Sequence, residues 1–226
     1  MIITLLLGGV VFDRSLKDPS ILEEYRGVIS NLVKRGTSVV VVAGGGRLAR
    51  RYIGLAEGFG ANKAFLDEIG ILATRLNASI TVAALGEIAH PTVLKSYEEV
   101  VSALKLSPVV VLGGIAPAQS TDAVAAVVSE FVGASMLVKA TGAPGIFDRP
   151  PSEPGATLLE RVSYEGLREI VARYRFEPGG YELLDPIAIK VLERSSIPCI
   201  VLDGLRPRLL LDAVEGKKVG TVVGGD

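Results

Sequence analysis

Val39-Val40-Val41-Val42-Ala43-Gly44-Gly45-Gly46-Arg47-Leu48-Ala49-Arg50-Arg51 is the stretch that decides the fold. Four valines in a row describe a strand buried on both faces, the pattern of a parallel sheet covered by helices. Three glycines follow, and Leu48, Tyr52 and Leu55 then recur at helical spacing. The order is strand, glycine turn, helix. Glycine lets a ligand or another segment approach the backbone closely. The helix start behind it offers unpaired N–H groups and a partial positive charge. Arg47 and Arg50 can add donors for a phosphate. The same residues also describe a plain strand-to-helix turn with two solvated arginines.

The unit recurs on either side. Residues 2–7 read as a first buried strand closed by Gly8-Gly9. Asp18-Pro19 then starts a helix with Ile21, Leu22, Tyr25, Ile29 and Leu32 inward, ended by Gly36. A helix is predicted over 66–79, with Leu66, Ile69, Ala73 and Leu76 inward and Asp67 in its first turn. Residues 80–85 read as a strand, 97–105 as a helix, and 108–112 as a strand running into Gly113-Gly114. Ser120, Thr121 and Asp122 can cap an apolar helix over 123–131, and 135–140 is a further strand. Alternating strands and helices argue for an α/β, three-layer α/β/α fold with a mostly parallel central sheet.

Beyond Lys139 the composition changes. Four prolines and three glycines between 141 and 157 describe a loop or short hairpin. A helix at 163–173, a turn at Pro178-Gly179-Gly180, a helix opened by Asp185-Pro186 and carrying Lys190, a strand at 199–202, a short helix at 207–214 and a final strand at 220–223 follow. The division expected is 1–140 and 141–226, two lobes on one continuous sheet.

Composition narrows the chemistry. The 226 residues are 49% hydrophobic with mean hydropathy +0.43, enough for a sizeable core. No apolar run reaches the roughly 18–20 residues of a membrane span, and no basic region precedes the first strand, so neither a membrane nor a secretory leader is expected. A net charge of −1 and the absence of a basic, aromatic-laced stripe argue against nucleic acid. The single Cys199 reads as a small core residue of a cytoplasmic protein. The only histidine, His90, falls in a loop, and the acidic residues lack metal-ligand spacing, so no metal site is assigned. Neither a phosphate loop of the Gly-x-x-x-x-Gly-Lys type nor a dinucleotide fingerprint is present. Paired glycines after three strands at one sheet edge point to a ligand carrying phosphates.

These turns, with Asp67-Glu-Ile-Gly-Ile-Leu-Ala-Thr-Arg-Leu-Asn-Ala78, Ser120-Thr-Asp-Ala-Val-Ala-Ala126, Asp185-Pro-Ile-Ala-Ile-Lys190 and Gly220-Thr221, resemble the amino acid kinase family over essentially the whole chain, and within it the uridylate (UMP) kinases of archaeal type. The resemblance implies ATP-dependent phosphorylation of UMP to UDP in pyrimidine nucleotide biosynthesis, with Mg²⁺, in the cytoplasm, by a homo-oligomer, a hexamer. It implies UMP contacts from Gly45, Asp67, Ile115, Ala116, Pro117, Ala118, Gln119, Ser120 and Thr121. ATP contacts are implied for Gly8, Gly9, Val10, Gly46, Arg50, Thr141, Gly142 and Phe147. Asp122 is the implied organiser of charged groups and Lys190 the neutraliser of the transferred group, in a reaction that needs positioning and charge neutralisation. By chemistry alone Asp122 also reads as a helix cap and Lys190 as a solvated lysine.

The chain departs from the family pattern in places. Leu6 and Val10 stand where many members carry lysine and serine, and Pro144, Phe147 and Pro150 replace two aspartates and a tyrosine. Asp148 is the carboxylate that a shift of register would substitute. These departures keep open a catalytically weak nucleotide-binding member of the same fold, or a kinase for another small phosphate or acid.

Overall fold

The computed structural model describes residues 1–173 and 183–224. Its strands are β1 (Ile2–Leu7), β2 (Ser38–Ala43), β3 (Val109–Leu112), β4 (Leu137–Thr141), β5 (Arg161–Val162), β6 (Cys199–Asp203) and β7 (Thr221–Val223). The helices are α1 (Gly9–Ser15), α2 (Ser20–Lys34), α3 (Gly46–Gly58), α4 (Lys63–Leu85), α5 (Tyr97–Ala103), α6 (Thr121–Val132), α7 (Tyr164–Arg173), α8 (Pro186–Arg194) and α9 (Arg208–Val214).

The strands form one sheet in the order β3-β2-β1-β4-β6-β7-β5. All neighbours pair in parallel except β6 with β7. Successive residues alternate between two cores, as the two-residue strand period requires. Leu6, Val40, Val42, Val110, Leu112 and Leu137 pack under α6 and α8. Leu5, Leu7, Val39, Val41, Val111 and Ala140 pack under α2 and α9. The expected three-layer architecture is present, and the sheet runs unbroken across residue 140. The order in which strands are added reverses between the parallel neighbours β1 and β4, so the ligand crevice of such a sheet opens at the carboxyl ends of those two strands.

One expected strand is absent. Residues 80–85 are the last turns of α4, a 23-residue helix that begins at Lys63 and stops at Gly86, where φ is +60°. Ile80, Thr81 and Val82 suit a strand by local propensity, but packing overrides it. Ala78, Thr81 and Leu85 are buried along one side, and Thr81 Oγ1 donates to the Asn77 carbonyl at 3.0 Å. The earlier start, capped by Asn62, moves Asp67 into the second turn. Leu76, expected inward, is 53% exposed. With the adjoining turn this helix forms a 26-residue segment long and apolar enough to span a membrane by length and composition. Its buried Thr74 and Asn77 instead hold the loops of the sheet edge. The structure also contains α1 and the two-residue β5, neither of which the sequence announces. The expected turn at Pro178-Gly179-Gly180 lies outside the described residues.

Candidate active site

Four loops meet at the carboxyl edge of the sheet, following β1, β2, β3 and β4. Gly8 donates its N–H to the Ala140 carbonyl at 2.8 Å, which ties the first loop to β4 at the reversal point. Gly9 packs directly on Gly46: a Cβ at Gly9 would lie 2.3 Å from Gly46 Cα. Gly46 itself has φ +66°, a conformation that favours glycine. Asp13 of α1 locks the contact. Its Oδ1 accepts the Arg47 N–H at 2.8 Å, so a side chain from another helix serves the start of α3. Gly8, Gly9, Gly46 and the neighbouring Val10 are thus one assembled wall. Arg50 lies exposed one turn further along α3.

Helix α4 grips the other loops. Asn77 Nδ2 donates to the carbonyls of Gly44 at 2.7 Å and Gly45 at 3.2 Å. Thr74 Oγ1 accepts the Gly114 N–H at 2.7 Å and donates to the Ile71 carbonyl at the same distance. Arg75 reaches the carbonyls of Gly114 at 3.1 Å and Ile115 at 3.4 Å. Asp67 Oδ2 accepts the Ala118 N–H at 2.8 Å, and Ala118 holds φ +62°. The loop from Gly114 to Ser120 therefore lies strapped over α4, with Ala116, Pro117 and Gln119 on it, and Gln119 accepts from Tyr97 at 3.4 Å. Gly113 has a structural reason beyond ligand approach: a Cβ there would fall 2.7 Å from Thr74 Oγ1 and 2.9 Å from Arg75 N.

Two helix N-termini face this edge. Ser120 caps α6 by accepting from Ala123 N at 3.0 Å, and Asp185 caps α8 by accepting from Ala188 N at 2.8 Å. The Ser120 hydroxyl donates to the second carboxylate oxygen of Asp185, joining the two caps. Thr121 and Asp122 form the first turn of α6. Asp122 pairs with Lys139 of β4, Nζ to Oδ1 at 2.5 Å, and Lys139 also donates to the Leu183 carbonyl at 3.1 Å. Lys190 is exposed on α8 and has no ion-pair partner among the described residues. Cys199, behind the pair, is fully buried. Burial pushes its thiol up to about 12, with Lys139 pulling the other way, so it stays a neutral core group.

On the far side, Thr141 ends β4 and accepts the Gly204 N–H at 2.7 Å. Gly142 faces Val10, whose Cγ2 lies 3.6 Å from where a Cβ would stand. Phe147 bridges to Leu158 in a hairpin. Asp148 belongs to that hairpin: it accepts from Thr157 N at 2.8 Å and pairs with Arg149 at 3.1 Å. The hydrogen bond from Thr157, then Arg149, holds its carboxyl below the usual range. Both partners belong to the same hairpin. The His90 ring is likewise engaged locally, with Thr92, while its backbone N–H donates to the Val109 carbonyl at 2.8 Å.

The sequence reading named Gly8, Gly9 and Gly46, of which the last two pack against each other, and Gly45, Asp67 and Ala118, which α4 ties together at the edge of the sheet. It missed Asp13, Thr74, Arg75, Asn77 and Lys139. A signal existed for some. Asp67, Thr74, Asn77 and Thr81 recur at helical spacing through an otherwise apolar helix, and Lys139 interrupts a buried strand.

Residues 1–203 match the model of the amino acid kinase family. A uridylate kinase of Methanoculleus marisnigri is 45% identical over 224 residues, covering 98% of this chain and 94% of that protein. One of Methanothrix thermoacetophila is 39% identical, covering 99% of each. The crystal structure of uridylate kinase from Archaeoglobus fulgidus superposes with a TM-score of 0.89 at 36% identity, covering 99% of this chain and 100% of that one.

Proposed function

This chain belongs to the amino acid kinase family, and on that premise we propose that it transfers the terminal phosphoryl group of ATP to UMP, giving UDP. The observation that carries the reading is the shared edge. The Gly8-Gly9 and Gly46 wall and the loop strapped by Asp67, Thr74 and Arg75 both follow the carboxyl ends of neighbouring parallel strands, and that loop leads into the start of α6. Two phosphate-bearing molecules can meet there end to end. The near-full-length likeness to uridylate kinases assigns UMP as acceptor.

In this reading residues 1–140 supply the acceptor lobe and 141–226 complete the ATP side. Asp67 accepts from ribose hydroxyls, and the N–H groups and hydroxyls of Ser120 and Thr121 donate to the acceptor phosphate. The backbone of Gly45 and the run Ile115 to Gln119 shape the nucleoside pocket. The N–H groups around Gly8, Gly9, Val10 and Gly46, with Arg50, receive the donor phosphates, and Thr141, Gly142 and Phe147 lie toward the donor nucleoside. Asp122 orders the charges between the two phosphates, and Lys190 neutralises the group in transit. The attacking oxygen is already an anion on UMP, so no protein base is needed, and alignment and charge carry the rate.

Mg²⁺ fits this site as a passenger of ATP. It would be held mainly by phosphate oxygens and water, since no group of three or more His, Cys, Asp or Glu gathers as a cage among the described residues. When bound it would neutralise charge on the transferred group. The protein is proposed to act in the cytoplasm as a homo-oligomer, a hexamer by family likeness. Leu55 of α3 and Phe59 just beyond its end, with Leu72, Leu76 and Ile80 of α4, leave an exposed apolar surface suited to a second copy.

A coupled assay with ATP, Mg²⁺ and a panel of nucleoside monophosphates tests the reading. Turnover selective for UMP is expected, and no UDP above background overturns it.

A further inference from the structure

Lys139 occupies a place where the surroundings call for an aliphatic side chain. It lies on β4, inside the sheet, and is 3% exposed. Its register partners on the two flanking strands are Leu6 and Val201, both apolar. Leu137, two residues back on the same face, is core as well. Burying a lysine here carries a desolvation penalty, and a buried ion pair returns little net stability against an apolar replacement of similar size. Stability therefore does not explain the residue. Its contacts point elsewhere. The ammonium reaches out of the core to Asp122 at 2.5 Å and to the Leu183 carbonyl at 3.1 Å, which leaves its third N–H without a partner among the described residues. Asp122 sits in the first turn of α6, next to Thr121 and to the Ser120 hydroxyl that ties α6 to α8.

We infer that Lys139 is a positioning residue of the phosphoryl-transfer centre. It fixes the Asp122 carboxylate in direction and balances its charge, so that this anion can stand beside two incoming phosphates without repelling them. With Leu6 uncharged on the adjacent strand, Lys139 is the cation that this part of the sheet delivers to the crevice. The role rests on the kinase reading above, and it operates through Asp122 rather than by touching substrate. It acts on the chemical step, because the orientation of a charge matters most where charge is redistributed.

The test uses the full chain with ATP, Mg²⁺ and UMP, assayed well below each variant's melting temperature. Lys139→Met should lower kcat about 100-fold while both KM values stay within about threefold. Lys139→Arg, which keeps a cation, should recover at least about tenfold of that loss. In an Asp122→Asn background the further change to Lys139→Met should lower kcat by less than about threefold, since residues acting as one unit are not additive. A Lys139→Met kcat within threefold of wild type overturns the inference, as does a full additional loss in the Asp122→Asn background. If Lys139→Met alone fails to fold, the double variant buries no unpaired charge. Its comparison with Asp122→Asn then decides, equality supporting the role and a further tenfold loss overturning it. A wild-type protein that makes no UDP overturns the kinase reading and this inference with it, whereas active wild type with active Lys139→Met overturns the inference alone.

Discussion

Asp67 of α4 accepts the backbone N–H of Ala118 at 2.8 Å, and Ala118 is held at φ +62°, a left-handed conformation that strains a residue with a Cβ. The carboxylate thus organises the acceptor loop, and its second oxygen is the one proposed for the ribose. Asp67→Ala removes both functions. A hydrogen bond to a charged group contributes about 1.5–3 kcal/mol, which corresponds to a rise of about 10- to 100-fold in KM for UMP. KM for ATP should change little. Steady-state kinetics decide it, and an unchanged KM for UMP takes Asp67 out of the acceptor side.

On the donor side the sensitive contact is backbone against backbone. A methyl at Gly9 would stand 2.3 Å from Gly46 Cα and 2.5 Å from Gly46 N, and neither atom can swing aside as a side chain would. Gly9→Ala must part the two loops that form the proposed ATP wall. The variant should fold, because β1 and β2 pair through registers that end before the glycines. A displacement of this size lowers kcat/KM for ATP by about 100-fold and abolishes the rise in melting temperature that ATP gives. Thermal shifts with ATP and with UMP separate the outcomes: UMP protection persists, and ATP protection is lost.

The fold was legible where local pattern and tertiary environment agree. Val39 to Val42 and Val109 to Leu112 are apolar on both faces because helices cover both faces, so the sequence states the environment directly. Ile80 to Val82 misled because β-branched residues prefer strands locally, while their neighbours Ala78 and Leu85 face the sheet only if the helix continues. The site divides the same way. Gly8-Gly9 and Gly44 to Gly46 could be read as close approach, but not what approaches: for Gly9 it is Gly46, and for Gly113 it is Thr74. The Lys139–Asp122 pair was illegible because its members lie 17 residues apart on different elements, and only the return of α6 over β4 joins them. Asp148 shows the converse. It is a carboxylate near the right place in sequence, yet it is engaged by Thr157 and Arg149 in its own hairpin.

Thr4 offers a gain rather than a loss. It is fully buried on β1, and its hydroxyl has no hydrogen-bond partner among the described residues. Valine has nearly the same shape without the polar atom. Thr4→Val removes a desolvated group that nothing compensates, so unfolding free energy should rise by about 1–2 kcal/mol. The melting temperature should rise by about 2–8 °C for a chain of this size. Urea unfolding should show a higher midpoint with an unchanged slope. A lower midpoint would mean that the hydroxyl is satisfied in solution.

Cys199 sets part of the alkaline limit of stability. Burial pushes its thiol up to about 12, while Asp122 adds to the rise and Lys139 opposes it. In the unfolded chain a thiol ionises near about 8.5. The folded state therefore keeps a proton that the unfolded state releases. The contribution is complete below about pH 8.5 and is lost as pH climbs toward the folded value, because unfolding there is drawn forward by ionisation. Tyr164, also raised to about 12 by burial, adds a second alkaline loss that begins only above the ordinary phenol range. Cys199→Ala separates the two. The packing lost on truncation lowers stability by an amount independent of pH, but without the thiol the variant's curve should stay flat between about pH 8.5 and 10, where wild type already declines, so the gap between the two narrows. Unfolding free energies measured across that interval check the sign. Parallel curves for the two proteins would show that the thiol ionises in the fold as readily as in the unfolded chain.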